Sequence, residues 1–306
     1  MILVTGATGF VGQALCAELS ARKIAFRPVS RKQMPGFFHV AAIDAEADWR
    51  EALSGVDCIV HLAARVHVMN DGAADPLAAF RALNVEATLN LARQAAASGV
   101  KRFVFISSIK VNGEGTQKGK PFAASDVAHP EDPYGQSKWE AEQALFRLGK
   151  ETGIEIVVIR PPLVYGPGVK ANFASMIGWV RRGVPLPLGA VDNRRSLVFV
   201  GNLVDFVLLA AHHPGAPGRV FLVSDDADMS VGDLLRRLAT AMGRKPHLLP
   251  VPSSLLQMLA SLAGKRAAAQ RLLGSLQVDI SDTKAVTGWA PPYSVDQGLK
   301  QTVEAR

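Results

Sequence analysis

Met1-Ile2-Leu3-Val4-Thr5-Gly6-Ala7-Thr8-Gly9-Phe10-Val11-Gly12 opens the chain, and Gln13 to Ala21 continues it with helical periodicity. The apolar run reads as a first strand, the glycines as a tight turn, and the rest as a helix. Gly6 permits the turn, Gly9 lets backbone approach a pyrophosphate, and Gly12 lets helix and strand pack closely. The N-terminus of such a helix offers free N–H groups and partial positive charge to phosphates. A glycine pattern alone is weak evidence; a strand before it and a helix after it are the context the mechanism requires. Gly6, Thr8, Gly9, Phe10, Val11 and Gly12 are therefore expected to hold a dinucleotide.

Further along, strands and helices alternate. Ile24 to Val29, Cys58 to Leu62, Phe103 to Ile106 and Ile156 to Ile159 read as strands. Ala78 to Ser98, ended by Gly99, and Tyr134 to Leu148, ended by Gly149, read as long helices. This alternation implies parallel strands joined by helical crossovers, a Rossmann-like doubly wound α/β fold. After residue 168 the segments shorten and Pro and Gly become dense. The expected division is a dinucleotide-binding domain over 1–168, with 197–223 returning to it. A smaller C-terminal substrate domain takes 169–196 and 224–306.

The chain has 306 residues, 34 Lys and Arg against 27 Asp and Glu, and two cysteines. The cysteines, Cys16 and Cys58, lie in apolar stretches and read as reduced core residues, which excludes a disulfide scaffold or a Cys-rich zinc module. No metal centre is expected. No apolar run reaches the ~18 residues of a membrane span, and the start lacks a signal pattern, so a cytoplasmic location is expected. The positive charges read as scattered pairs, among them Arg181-Arg182 and Arg194-Arg195, rather than a basic stripe. A phosphate-bearing small ligand suits them better than nucleic acid.

Ligands of such sheets bind beyond the carboxyl ends of the strands. Of three tyrosines only Tyr134 has a lysine four residues on, Lys138, placing both on one helix face. A phenol beside an ammonium becomes a usable base near neutrality. Ser30, Arg31 and Lys32 end the second strand, where an acid would repel a ribose 2′-phosphate and these cations attract one. NADP(H) is favoured over NAD(H) on that ground. Asp44 by itself reads as a helix N-cap before Ala45 to Leu53, while resemblance to short-chain dehydrogenases/reductases makes it the adenine-side acid.

The glycine spacing, Tyr134-Gly135-Gln136-Ser137-Lys138 and the strand-end Ser107-Ser108 together resemble the NAD-dependent epimerase/dehydratase family, extended short-chain dehydrogenases/reductases acting on nucleotide sugars. The resemblance also covers Arg160-Pro161-Pro162-Leu163-Val164-Tyr165-Gly166 and Arg194-Arg195-Ser196. It implies Ser108, Tyr134 and Lys138 as the catalytic set. It places Ala63, Ala64, Pro161 and Val164 beside the cofactor, with Asn84 as a helix asparagine near it. It implies Asn172, Arg195, Arg271 and Leu276 as substrate contacts, the arginines gripping a diphosphate. A homodimer through the two long helices is a family expectation.

Within the family, Ser107-Ser108-Ile109-Lys110-Val111-Asn112-Gly113 and Gly274-Ser275-Leu276 resemble a group from bacterial O-antigen clusters that includes UDP-N-acetylquinovosamine 4-reductases. Ordinary epimerases carry tyrosine where Asn112 stands. A dehydratase needs an Asp-Glu pair where Ile109 and Lys110 stand, so dehydration is disfavoured. The leading expectation is a 4-ketoreductase acting on a UDP-4-keto-6-deoxy-N-acetylhexosamine. The alternatives are a UDP-sugar 4-epimerase with retained NAD and a non-catalytic NADP-sensing protein. A lipid-linked acceptor is a further reading. Ser254 to Leu262, followed by Lys265-Arg266, reads either as a helix resting on an anionic membrane or as one packed on the core.

Overall fold

The computed structural model describes residues 1–66, 75–264 and 266–305. Ile2–Thr5 forms β1, and Phe10–Ala21 forms α1 directly after the glycine turn. β2 (Phe26–Ser30), β3 (Phe38–His39), α2 (Arg50–Leu53) and β4 (Cys58–His61) follow. Next come α3 (Pro76–Arg81), a π-helical segment (Ala82–Ala87) and α4 (Thr88–Ala97), then β5 (Arg102–Ile106). A single 3₁₀ turn, Ile109–Val111, precedes α5 (Pro133–Thr152) and β6 (Glu155–Arg160).

The second half contributes β7 (Leu163–Tyr165), α6 (Ala171–Arg182), β8 (Leu197–Phe199), α7 (Val200–His212) and β9 (Arg219–Leu222). It ends with α8 (Val231–Ala241), α9 (Ser253–Leu262), α10 (Arg266–Leu273), α11 (Ser281–Thr287) and α12 (Val295–Glu304). Among the described residues the main sheet is all parallel, in the order β3-β2-β1-β4-β5-β6-β9. β7 and β8 pair in a separate two-stranded sheet.

Period-two alternation divides the strands between two cores. Ile2, Val4, Val60, Val104 and Ile159 face α1 and α7, while Leu3, Ile59, Phe103, Phe105 and Val158 face α4 and α5. Strand order reverses between β1 and β4, so a crevice opens at their carboxyl ends, beside the start of α1. Both cysteines are free, Cys58 buried and Cys16 half-buried. Burial raises their thiols to about 12 and about 11, respectively, so neither is a ready nucleophile.

Several boundaries differ from those the sequence suggests. The Ala78–Ser98 helix is broken by the π-helical turn at 82–87, which reorients Asn84. The second long helix passes through Gly149 and ends at Gly153, whose φ of 80° closes it. Gly149 instead packs on β6: a Cβ there would lie 2.9 Å from the Ile156 side chain. Asp132 starts that helix, its side chain accepting from the Gly135 amide at 2.6 Å, with Pro133 in the first position.

The glycine turn is tight. Gly6 has a φ of +65°, and a Cβ on Gly12 would lie 2.2 Å from the Gly6 carbonyl oxygen. Because that neighbour is backbone, Gly12→Ala must shift α1 away from β1. A loss of about 1–3 kcal/mol in urea-unfolding stability is expected, the usual penalty of overpacking.

Candidate active site

A cavity of about 890 Å³ opens at the carboxyl ends of the parallel strands. Gly6, Thr8 and Gly9 line one end, with Phe10, Val11 and Gly12 from the first turn of α1. Gly9 precedes the helix and no side chain caps it, leaving its first N–H groups to meet an anion. Ser30, Arg31 and Asp44 line the cavity beyond β2. Ala63, Ala64, Pro161 and Val164 line it after β4 and β6, and Ser108, Tyr134 and Lys138 stand at the far end.

Two residues expected at the cofactor lie apart from this lining. Lys32 is exposed outside it, its backbone amide donating to the Ser30 hydroxyl at 3.1 Å. Asn84 is buried and braces the wall. Its Oδ1 accepts from the Arg65 amide at 2.8 Å, and its Nδ2 donates to the Arg65 carbonyl at 3.1 Å and to Ser137 Oγ at 3.0 Å. The extra backbone of the π-helical turn brings that amide within reach of both the post-β4 loop and α5.

Tyr134 and Lys138 differ electrostatically from the sequence expectation. Lys138 donates to the Ile106 carbonyl at 2.8 Å and lies 4.4 Å above the Phe105 ring. Burial pulls its ammonium down to about 7, opposed by the Glu142 carboxylate one turn away. Burial pushes the Tyr134 phenol up to about 12, opposed by a hydrogen bond with Ser108. In this state the tyrosine is a protonated donor rather than a ready base, because desolvation outweighs the help a nearby ammonium gives.

A buried network behind them went unread in the sequence. Arg160 Nε and Nη2 donate to Glu142 at 3.0 and 2.5 Å, and Nη1 donates to Asn112 Oδ1 at 2.9 Å. Ser107 also donates to Glu142, and Asn112 donates to the Ala123 carbonyl at 3.1 Å. Asn112 is thus a structural partner of Arg160. His61, at the end of β4, bridges Thr5 Oγ1 at 2.8 Å and Thr88 Oγ1 at 3.0 Å. Burial lowers it to about 3, with Lys138 adding to the effect, so it stays neutral. Spacing gives no sign of these contacts, since their members lie far apart in the chain.

Apart from Ser108, the expected substrate contacts lie outside the cavity lining. Arg195 Nη1 donates to the carbonyls of Arg271 and Gly274 at 2.8 and 3.0 Å. Leu276 is buried in the core and bridges to Arg195 in a short parallel pairing. Arg271 is exposed near the end of α10, and Asn172 is exposed on the first turn of α6. Tyr165 is core, fully buried and donating to Asp225 Oδ2 at 2.8 Å. Lys110, where a dehydratase carries an acid, is ion-paired with Glu114 and Asp132, both at 2.6 Å.

A family model described as NAD dependent epimerase/dehydratase family matches residues 2–224. A UDP-glucose 4-epimerase of Vibrio cholerae is 48% identical, covering 99% of this chain and 94% of its own length. An N-acetyl-alpha-D-glucosaminyl-diphospho-ditrans,octacis-undecaprenol 4-epimerase of Escherichia coli O157:H7 is 27% identical over 99% and 94%. The structure of a UDP-N-acetylglucosamine 4-epimerase from Bacillus cereus superposes with a TM-score of 0.81 at 20% identity, over 98% and 96% of the two chains, a likeness of fold.

Two expectations follow from the buried charges. Glu142→Gln leaves Arg160 without its counter-charge, and should cost about 3–5 kcal/mol in chemical unfolding. Lys138 is held below its ordinary value, so the unfolded chain binds more protons between about pH 7 and 10.5, and stability rises with pH across that window. Lys138→Met should remove this rise, the two proteins differing most near pH 7 in pH-resolved thermal melts.

Proposed function

The chain belongs to the NAD dependent epimerase/dehydratase family, and we propose that it catalyses hydride exchange at C4 of a UDP-sugar as a 4-epimerase. The observation that carries this is the convergence of Ser108, Tyr134 and Lys138 at one end of the cavity whose other end is the glycine turn. The Vibrio cholerae relative supports the 4-epimerase reading over the whole length. The uncapped helix start, with Gly6 and Gly9 lining the cavity beside it, fits a dinucleotide pyrophosphate. A bound nicotinamide would supply the hydride chemistry.

The protein's own groups handle position and protons. Ser108 hydrogen-bonds the reacting C4 oxygen and shares its hydroxyl with Tyr134. Tyr134 gives its proton to that oxygen when the carbonyl is reduced and takes one back when the alcohol is oxidised. Taking a proton requires the phenol to fall from about 12, which a positive charge beside it favours. Lys138 would supply such a charge, its ammonium holding the ribose of a bound dinucleotide. Ile109 and Lys110 offer no carboxylate after Ser108, so the site is not built for dehydration. Arg195 and the end of α10 form the substrate side, in the part of the chain read as a substrate domain.

One observation favours a second reading, a 4-ketoreductase acting on a UDP-4-keto-6-deoxy-N-acetylhexosamine with NADPH. Arg31 lines the cavity at the end of β2, and no acid stands beside it on that strand.

Purification decides between the two. A 4-epimerase is expected to carry tightly bound dinucleotide and to equilibrate UDP-sugar C4 epimers with no added cofactor. Tyr134→Phe should lower that turnover about 10²-fold or more while keeping the dinucleotide. Protein isolated free of dinucleotide, inert toward UDP-sugar epimers but consuming NADPH with a 4-keto sugar, would replace the first reading with the second. In that event Arg31→Ala should weaken NADPH about 10- to 150-fold and leave NADH nearly unchanged.

A further inference from the structure

Amphipathic helices on a protein surface normally turn their apolar stripe inward. α9 does the reverse. Leu255, Met258, Leu259 and Leu262 stand at positions i, i+3, i+4 and i+7, one face of the helix, and are 41, 54, 51 and 80% exposed. None of its residues is fully buried, although Leu256 leans on the core. Leu249, just upstream, is also half-exposed.

The segment of chain that carries this stripe is as lopsided in charge. Residues 234–278 hold seven Lys and Arg and no Asp or Glu, so the other residues balance at 27 against 27 and the whole formal charge of +7 falls in this segment. Arg236 and Arg237 are paired with Asp233 and Asp296. Arg244, Lys245 and Arg266 are exposed. Arg266 lines the groove between α9 and α10 together with Met258, one of the stripe residues.

We propose that the exposed face of α9, with Arg266 at its edge and Arg244 and Lys245 exposed in the same basic segment of the chain, docks the protein on an anionic phospholipid surface. An in-plane helix seats leucines at the acyl boundary and leaves flanking cations among the headgroups, and both components are present. A second copy of this chain is a poor occupant, because a two-fold contact would set the same cations against one another. The inference is independent of the reaction assigned to the cavity, since no residue of the patch lines it. Gly274, whose carbonyl accepts from Arg195, borders the α9–α10 groove, so docking would bring the substrate side of the molecule to the membrane.

The test is co-sedimentation of the full chain with vesicles of phosphatidylglycerol and phosphatidylcholine in equal parts, and of phosphatidylcholine alone. Binding to the first is expected to be at least tenfold tighter and to weaken as salt is raised. Leu259→Ser/Leu262→Ser and, separately, Arg244→Gln/Lys245→Gln should each weaken it about tenfold or more with an unchanged melting temperature. Absence of binding, equal binding to both vesicle types, or full binding by the leucine variant would overturn the proposal. So would sedimentation equilibrium in which the leucine variant alone loses self-association, which would make the stripe a contact between copies.

Discussion

Behind the cavity, a carboxylate with no solvent exposure meets a guanidinium, and the placement of Ser108, Tyr134 and Lys138 depends on that pair. Glu142 comes from α5 and Arg160 from the end of β6. Their contact fixes how the helix bearing Tyr134 and Lys138 leans on the sheet. The same carboxylate receives Ser107, which holds the end of β5 and hence the turn that begins with Ser108. Arg160 also reaches Asn112, whose amide fastens the following loop at Ala123. Taking two charges out of water is expensive, and good geometry with extra hydrogen bonds is what makes it sustainable. Here every strong acceptor of Glu142 is used by a group that also positions the site.

This pair also sets the protonation states nearby. Glu142 lies one turn beyond Lys138 and supports its charge, while burial works against it. His61 sits neutral beneath them, spanning β1 and α4 through two threonine hydroxyls. The result is a site in which a protonated phenol and a readily discharged ammonium stand close to the ends of β4 and β5. A positive charge brought to that end would draw the two toward phenolate and ammonium.

The parts of this arrangement that were legible in the sequence are local. Gly6, Gly9 and Gly12 sit within one turn, and Tyr134 and Lys138 within one helical repeat, so spacing alone exposes them. The strands read correctly because β-branched and aromatic runs such as Phe103 to Ile106 have no other stable use. What could not be read depends on long-range contact. Asn84 reaches the Arg65 backbone only because α3 passes through a π-helical turn, which has no compositional signature. Asn112 is a plain loop amide in the sequence and a buried partner of Arg160 in the fold. Arg195 appears as one of a pair of surface charges, yet its guanidinium is fastened to carbonyls at the end of α10, 76 and 79 residues away.

The outward-facing leucines of α9 bear on how the protein behaves alone in solution. A stripe of that kind would ordinarily seed aggregation. The cations of this segment, with Arg266 beside Met258, act as a colloidal guard, since two molecules approaching through this face meet like charge. The guard is only as long-ranged as the ionic atmosphere allows, about 10 Å at 0.1 M salt and about 3 Å at 1 M. Solubility of the purified chain is therefore tied to ionic strength, and concentrated salt removes the barrier that keeps this face single.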